Sequence, residues 1–257
     1  MNTIGFIGGG RVTRIFLQAY VNQGVPVAGI AVYEPNPEVL NKLANRYPGI
    51  QASSSSMQHA AAAGTVILAV HPPVMMEVLN ALKELVAPSS TVISLAPKWT
   101  VEKIRSVLTE NRNIARINPS ASSFINQGIN PVTFALQMDP EARKQVEELM
   151  KPLGILPEVD EQKIEAYAMI SAMGHTYYWF QLRKLTDLAI QFGMDPDEAQ
   201  SVVAGMMKGT VDTLLNSGLA YEEVIDLVPV KPLGPAESAI NAFYDEHLVP
   251  LFNKIKP

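Results

Sequence analysis

Short apolar runs alternate with amphipathic stretches along this 257-residue chain up to Val159. The apolar runs are rich in Val and Ile and predict buried strands, and the amphipathic stretches predict helices. The predicted strands are Thr3–Ile7, Val27–Tyr33, Val66–Val70, Val92–Leu95, Ile114–Ile117 and Val132–Leu136. The predicted helices are Arg11–Gln23, Pro37–Arg46, Met57–Ala63, Val74–Val86, Val101–Leu108 and Pro140–Met150. Because strands and helices alternate, we expect crossover units around a mostly parallel sheet.

The pattern becomes helical only after the segment "PLGILPEVD". From Glu161 onward the helical periodicity is interrupted at "FGMDPDEA", "NSGLAYEE" and "VPVKPLGP", which carry turn residues. A Ser/Gly-rich stretch is missing where the pattern changes, so a flexible linker is not expected. We therefore predict an α/β domain over residues 1–159 and an all-helical domain over residues 160–257.

The stretch "GFIGGGRVTRIF" joins the first predicted strand to the first predicted helix. Gly8 permits the tight turn of a Rossmann motif, and Gly10 lets a pyrophosphate approach the amides at the helix N-terminus. Thr13 stands where Gly or Ala is usual, which we expect to loosen slightly the packing of helix on strand. Glu34 ends the second predicted strand, where a carboxylate can accept hydrogen bonds from ribose hydroxyls. Together these residues predict a nicotinamide or flavin dinucleotide site.

Composition agrees with a globular enzyme and removes several alternatives. Apolar residues make up 47% and charged residues 18%, and a formal charge of −5 lacks the basic face that nucleic acid needs. The chain has no cysteine, which excludes disulfides, thiolate nucleophiles and zinc–thiolate sites, and no metal site is predicted. The longest apolar run, around Ala60 to Val70, is shorter than the about 20 residues of a membrane span. The opening "MNTIGFIG" lacks the features of a secretory signal, so we expect a cytoplasmic protein without nucleic-acid or membrane partners.

Five segments resemble, in the same order, the signatures of pyrroline-5-carboxylate reductases. They are "IGFIGGGRVTRIF", "YEPNPEVLNKL", "VILAVHPPVMMEVL", "VISLAPKWTVEKI" and "ARINPSASSFINQG". The family's own signatures include a GGG-Asn-Met-Ala turn, a VILAVKP strand end and an Arg-x-Met-Pro-Asn-Thr-Pro loop. The likeness covers essentially the whole chain and implies an N-terminal Rossmann-type dinucleotide-binding domain with a C-terminal all-helical dimerisation domain. It also implies hydride transfer from NADP or NAD, in reduced form, to a C=N or C=O carbon of a small anionic substrate.

The resemblance implies which residues hold the dinucleotide. The residues expected at the pyrophosphate are Gly8, Gly10, Arg11 and Val12. Those expected to flank the nucleotide are Ala69, Val70, His71 and Pro72, and those near the nicotinamide are Ala96, Pro97, Asn118 and Pro119. His71 replaces a family lysine and is either a ribose or phosphate contact or an exposed loop residue. Lys98 stands where the family has glycine, and we interpret it as a solvated lysine at a helix entry.

The helical half aligns with the helical domain of the family, but the residue types expected at the substrate site differ. The segment "AMISAMGHTYYWF" retains Ser171 and Gly174 as candidate substrate residues. Where the family has a Ser-Pro-Gly-Gly-Thr-Thr loop, this chain has "KPLGPA" at 231–236, without a hydroxyl. Lys231 is then either the charged group that meets a substrate anion or an exposed loop lysine. Because a site loses selectivity with its hydrogen-bond partners, we expect pyrroline-5-carboxylate itself to be reduced poorly.

His175 is the candidate proton donor for the reaction, with Tyr177 as the second candidate. Imidazole titrates near neutral pH, which suits protonation of an imine or ketone as hydride arrives. The alternative is a helix histidine at the domain interface whose hydrogen bonds are already satisfied.

Two other classes of protein share parts of this pattern. The β-hydroxyacid dehydrogenases place a lysine four residues after a glycine in the first long helix, whereas here Tyr178 follows Gly174 at that distance, which disfavours them. A non-catalytic NAD(P)-binding regulatory protein stays open because the substrate loop is altered. The cofactor also stays open: Glu34 favours NADH and Arg11 could reach a phosphate, so we expect use of both.

The segment "QSVVAGMMKGTVDTLLNSG" carries apolar side chains around much of its helical circumference. Such a helix needs cover on several sides. We therefore predict a homodimer or higher homo-oligomer built through the helical domain.

Overall fold

The structure is a computed structural model that describes residues 3–257. Its main sheet consists of β1 (Ile4–Ile7), β2 (Ala31–Tyr33), β3 (Gln51–Ser53), β4 (Thr65–Leu68), β5 (Thr91–Ser94), β6 (Ile114–Ile117) and β8 (Val132–Phe134). The strand order is β3-β2-β1-β4-β5-β6-β8, and all pairs are parallel except β6 with β8. Two short strands, β7 (Gly128–Ile129) and β9 (Gly154–Ile155), pair separately. The predicted mostly parallel sheet is confirmed.

Six helices connect these strands within the part of the chain that the structure describes. They are α1 (Arg11–Asn22), α2 (Pro37–Arg46), α3 (Gln58–Ala61), α4 (Met75–Leu82), α5 (Val101–Val107) and α6 (Pro140–Met150). Local sequence sets where they begin. Asn36 accepts hydrogen bonds from the backbone amides of Glu38 and Val39 at the start of α2, and Asp139 caps α6 in the same way. In both helices a proline occupies the first position, where its missing N–H costs nothing.

Several predicted element bounds are wrong, and turn residues explain the largest error. The second strand begins at Ala31 rather than Val27, because Gly29 adopts a φ of 85° and turns the chain just before it. Strand β3 was missed because its residues, "QAS", carry no apolar run. The third and fourth helices are shorter than predicted, and a 3₁₀ turn at Pro72–Val74 precedes α4.

From Glu161 the chain is helical, as predicted. A 3₁₀ turn and α7 (Ile164–Tyr167) lead into a π-type turn at Ala168–Ala172. The helices α8 (Gly174–Gln191), α9 (Pro196–Asn216), α10 (Tyr221–Asp226) and α11 (Glu237–Ile255) follow. None of the helices among residues 3–257 is long and apolar enough to cross a bilayer.

The chain divides into two compact units. The first contains residues through Met173 together with Phe252–Pro257, and the second contains Gly174–Leu251. The predicted division at 159/160 was made from the change in pattern, and it stays a prediction. Residues 160–173 carry the helical pattern but belong to the first compact unit.

The core of the first unit lies on both faces of the sheet. Strands β4, β5 and β6 are buried along their full length, as expected for parallel strands covered by helices on both sides. Helix α1 packs on this sheet through Phe16, whose ring meets those of Phe6 and Tyr20 edge-to-face at 5.4 and 6.3 Å.

Candidate functional site

Gly8 forms the turn between β1 and α1 and cannot be replaced without strain. Its φ is 109°, and a Cβ there would stand 2.5 Å from the carbonyl oxygen of Ala69. Its amide donates to the carbonyl of Tyr33 at 2.7 Å, which ties the turn to the end of β2. A glycine is therefore required here for backbone geometry.

The N-terminus of α1 is open to an anion. A Cβ on Gly10 would meet nothing within 4 Å, so a ligand can approach the backbone there. Gly10 offers no side-chain cap, and the first turn contains no acidic residue. The first amides of this helix therefore point outward without the partner that most helices supply. An uncapped helix N-terminus after a glycine turn suits a phosphate group.

Thr13 fills the position where Gly or Ala is usual. It is fully buried, and its hydroxyl donates to the carbonyl oxygen of Gly8 at 2.5 Å. We expected looser packing at this position, but the hydroxyl instead fastens the helix to the glycine turn.

A cleft of about 830 Å³ opens beside this turn, at the carboxyl ends of the parallel strands. Its lining residues are Gly9, Gly10, Arg11, Val12, Arg14, Glu34, Asn36, Val39, Lys42, Leu43, Arg46, Ala69, Val70, His71, Pro72, Leu95 and Pro97. Most of the predicted cofactor residues therefore share one cleft. Sequence analysis missed the basic side chains of Arg14, Lys42 and Arg46, although their spacing along two amphipathic helices could have indicated a common groove.

Glu34 enters this cleft from the end of β2, but its carboxylate is already engaged. One oxygen accepts from the amide of Gly9 at 2.9 Å and the other from the amide of Asn36 at 3.0 Å. A Cβ on Gly9 would stand 2.8 Å from the Cβ of Glu34, so Gly9 is needed for this close approach. Each carboxylate oxygen keeps a second lone pair that can accept a hydroxyl.

Four predicted cofactor residues, Gly8, Ala96, Asn118 and Pro119, do not line the cleft. Gly8 lies beneath it as the turn, and Ala96 is buried with its amide bonded to the Ser94 hydroxyl at 3.3 Å. Asn118 lies beyond β6, and its side-chain amide nitrogen is buried without a hydrogen-bond acceptor in the described part of the chain. The roles assigned to these four residues stay predictions.

A buried ion cluster in the first unit was not predicted from the sequence. Arg116 of β6 pairs with Glu165 at 2.6 Å and with Glu161 at 3.0 Å, and both Arg116 and Glu165 are about 1% exposed. The same carboxylates accept from the backbone amides of Lys98 and Val101 at 3.2 and 2.7 Å. An arginine inside the apolar strand "IARI", together with two glutamates one helical turn apart, was the available signal.

The predicted substrate residues fall in different local settings. Ser171 lies in the π-type turn of the first unit, and its hydroxyl donates to the carbonyl of Tyr167 at 2.9 Å. Gly174 begins α8 of the second unit and is buried. Lys231 is exposed in the loop before the turn Gly234–Ala236, and its carbonyl accepts from the amide of Gly234 at 3.0 Å.

The candidate proton donors both lie on α8. The ring of His175 meets that of Trp179 edge-to-face at 5.8 Å, one turn along the helix. The ring of Tyr177 meets that of Tyr244 on α11 at 6.2 Å. Burial, and secondly the neighbouring Tyr244 hydroxyl, raises the pKa of Tyr177. Tyr177 therefore stays protonated at neutral pH and is a weaker acid than an ordinary tyrosine, which makes it the less suitable of the two donors.

Two family models match separate parts of this chain. A model described as NADP oxidoreductase coenzyme F420-dependent matches residues 3–98, and the pyrroline-5-carboxylate reductase dimerisation model matches residues 161–255. A pyrroline-5-carboxylate reductase from Pseudomonas aeruginosa is 26% identical over 241 residues, which cover 93% of this chain and 88% of that protein.

Solved structures show the same arrangement of elements. A pyrroline-5-carboxylate reductase from Coxiella burnetii has a TM-score of 0.70 at 25% identity, over 99% of this chain and 94% of that one. The Plasmodium falciparum pyrroline carboxylate reductase with NADP bound shares the fold, with a TM-score of 0.75 at 18% identity and the same coverage.

The sheet, the glycine turn and the first matching model together define a dinucleotide-dependent oxidoreductase. The dimerisation model matches the C-terminal part, and the similar proteins match most of the chain. Both point to one kind of oxidoreductase, the pyrroline-5-carboxylate reductases. The chain is similar to pyrroline-5-carboxylate reductases over most of its length, and its residues 161–255 match the dimerisation domain of that family.

Proposed function

We propose that this protein is an NAD(P)H-dependent reductase of the pyrroline-5-carboxylate reductase type. It would transfer hydride to the C=N, or C=O, carbon of a small anionic substrate. The observation that carries the proposal is the uncapped N-terminus of α1 beside the glycine turn, in a chain that matches such reductases over 93% of its length. Bound NAD(P)H would supply the hydride.

The residues present fit a dinucleotide. The open backbone at Gly10 and the free amides of Arg11 and Val12 would hold the pyrophosphate. Glu34 would accept from a ribose hydroxyl through its remaining lone pairs. The walls formed by residues 69–72 and by Pro97 would enclose the rest of the cofactor, with Ala96 and Asn118 supporting the nicotinamide end.

The choice between NADH and NADPH depends on two opposing features of the cleft. Glu34 would repel a 2′-phosphate and favours NADH. Arg11, Arg14, Lys42 and Arg46 line the same cleft and would attract one. Arg14 and Arg46 both lie over the ring of Phe124, at 5.9 and 5.7 Å from its centre. We propose that the protein accepts both nucleotides.

The substrate side is proposed from the resemblance and the altered loop. Lys231 would meet the substrate anion as an exposed point charge, a less selective partner than a set of shaped donors. Ser171 and Gly174 would border the substrate, although the Ser171 hydroxyl already donates to Tyr167 within its own turn. His175 would be the proton donor, with Tyr177 as the second candidate. A substrate other than pyrroline-5-carboxylate, or larger than it, fits this set best.

Assembly is proposed from the exposed helical unit. Apart from Gly174, the residues buried in that unit are Ala189, Ala199 and Val203, while Phe192 and Leu215 are 77% and 71% exposed. A second copy of the chain covering these faces would make a homodimer or higher homo-oligomer, as the dimerisation model indicates. The cytoplasm, which holds the NAD(P)H pool, is the proposed location.

The test is a turnover assay with NADH and NADPH against a panel of cyclic imino acids and keto acids. We expect at least one substrate to be reduced, with pyrroline-5-carboxylate at least about tenfold slower than the best. Dinucleotide binding without turnover across the panel would instead support a regulatory protein. Pyrroline-5-carboxylate as the best substrate would contradict the argument from the altered loop.

The donor assignment is tested on the best substrate of that panel. His175→Ala is expected to lower kcat about 100-fold, the usual contribution of general acid catalysis. His247→Ala is the matched control, because His247 is an exposed histidine of the same unit that contacts Phe243. An unchanged kcat in His175→Ala, with a loss in Tyr177→Phe, would move the donor to Tyr177.

A further inference from the structure

The turn at residues 95–100 forms one wall of the dinucleotide cleft and holds an unfavourable backbone conformation. Leu95 and Pro97 line the cleft. The next residue, Lys98, has a φ of 68°, in the left-handed region that a side chain disfavours. Contacts with other residues are therefore needed to stabilise Lys98 in this left-handed conformation.

Glu165 does not line the cleft, and it forms a hydrogen bond with the backbone of Lys98. Its Oε1 accepts from the backbone amide of Lys98 at 3.2 Å and from Nη2 of Arg116 at 2.6 Å. Arg116 and Glu165 are both fully buried, so their positions are set by packing in the core. The hydrogen bond therefore anchors the Lys98 amide to a rigid element of the sheet.

Neighbouring contacts fasten the two ends of the same turn. Glu161 accepts from the amide of Val101 at 2.7 Å and shares Arg116 with Glu165. The indole nitrogen of Trp99 donates to the carbonyl of Pro72 at 3.2 Å. Because Pro72 also lines the cleft, this bond ties the turn to the neighbouring lining segment after β4.

We infer that Glu165 is a positioning residue for the dinucleotide: together with Arg116 it holds Lys98 in its left-handed conformation and so sets the cleft wall at Leu95 and Pro97. This inference rests on the proposed function, because it concerns the cleft that would hold NAD(P)H. Glu165 acts through the backbone of the turn and does not itself line the cleft.

The test measures the Kd of NADH and NADPH by the fluorescence of the reduced nicotinamide, which does not depend on turnover. Glu165→Asp keeps the charge beside Arg116 but shortens the reach to the Lys98 amide. We expect Kd to rise about tenfold, the penalty that the left-handed region carries for a residue with a side chain.

Adding a glycine at position 98 separates positioning from general support of the fold. Glycine adopts a positive φ without strain, so Glu165→Asp with Lys98→Gly is expected to bind within about threefold of the wild type. Lys98→Ala is the matched control: it removes the same amine but keeps a Cβ, and it should not rescue. Met150→Ala, in the buried face of α6, should lower Tm without changing Kd.

Each outcome bears on one claim. A wild-type protein that binds neither nucleotide overturns the proposed function. If the wild type binds and Glu165→Asp binds equally well, or if Lys98→Ala rescues as well as Lys98→Gly, the positioning role is wrong. Should Glu165→Asp fail to fold by itself, adding Lys98→Gly is expected to restore folding and binding, because glycine adopts the left-handed conformation without strain, whereas adding Lys98→Ala should not. Equal behaviour of the two double variants overturns the inference.

Discussion

The two compact units differ in how much of their apolar surface a single chain buries. In the first, strands β4, β5 and β6 are buried along their full length, and even an arginine, Arg116, is enclosed with Glu165. In the second, Gly174–Leu251, long helices expose large apolar side chains such as Trp179, Phe192 and Leu215. Exposed apolar faces of this extent indicate a partner surface. The first unit therefore completes its core within the chain, and the second does not.

The largest effect is expected where the first unit depends on its enclosed charges. Arg116→Met removes the cation between Glu161 and Glu165 and leaves Glu165 buried beside an apolar side chain. We expect the free energy of unfolding to fall by about 3–5 kcal/mol, measured by urea denaturation.

Its matched control is Arg143→Met on the surface of the same unit. Arg143 forms exposed pairs with Glu147 and Glu158, which contribute about 0–1 kcal/mol. Equal losses in the two variants would show that burial of the cluster adds no stability.

The next effect concerns the uncovered unit. Met206→Glu combined with Leu215→Glu places two charges among the exposed apolar side chains of α9. If a second copy covers this helix, association should weaken by about 2–4 kcal/mol, seen as a monomer in sedimentation velocity at micromolar concentration. Leu136→Glu, at a fully exposed leucine of the first unit, should leave the assembly intact. A wild type that already sediments as a monomer would remove the proposed oligomer.

A smaller effect separates two glycines of the cofactor turn. Gly8→Ala forces a Cβ toward the Ala69 carbonyl at a φ of 109°, so we expect a loss of about 2 kcal/mol in stability. Gly10→Ala meets open space and should preserve the fold while weakening dinucleotide binding. Thermal unfolding and nucleotide titration of both variants measure the difference. Similar unfolding temperatures would argue against a strained turn at Gly8.

Glu34 is expected to influence whether the cleft prefers NADH or NADPH. Glu34→Ser removes the repulsion of a 2′-phosphate while Arg11, Arg14, Lys42 and Arg46 remain. We expect the ratio of the NADPH and NADH Michaelis constants to shift toward NADPH by about tenfold. Asp139→Ser, at an acidic N-cap outside the cleft, should leave this ratio unchanged. No shift in Glu34→Ser would mean that Glu34 serves only the backbone amides of Gly9 and Asn36.

The smallest effect contrasts one tyrosine from each unit. Burial raises the pKa of Tyr20 in the first unit, and burial with the nearby Tyr244 raises that of Tyr177 in the second. A raised pKa means that each neutral hydroxyl contributes stability below the ordinary tyrosine pKa, which is lost as pH rises through the folded value. In an absorbance titration, Tyr244→Phe should lower the pKa of Tyr177 and leave Tyr20 unaffected. Ionisation of Tyr20 before the first unit unfolds would contradict its burial.

Within the first unit, local sequence was enough to predict most of the strands and helices. The periodicity of "PEVLNKLANR" and the cap at Asn36 place α2 at the predicted bounds, because both signals act within one or two helical turns. The glycine turn could also be predicted from residues that are neighbours in the chain. Strand β3 was not predicted because its residues have no apolar pattern of their own. The strand is defined by its pairing with β2, which the local sequence does not reveal.

The sequence by itself determined the alternation of strands and helices, the turn at Gly8, and the change to a helical region after Val159, because these depend on residues near one another in the chain. Only the tertiary structure decided that Arg116 meets Glu165 across 49 positions, and that this pair holds Lys98 where glycine would be expected. Spacing along a chain carries no information on pairs so far apart. The apolar periodicity of α9 predicted burial on several sides, but in the single chain those sides are exposed. Periodicity identifies a face that needs cover and leaves open which surface covers it.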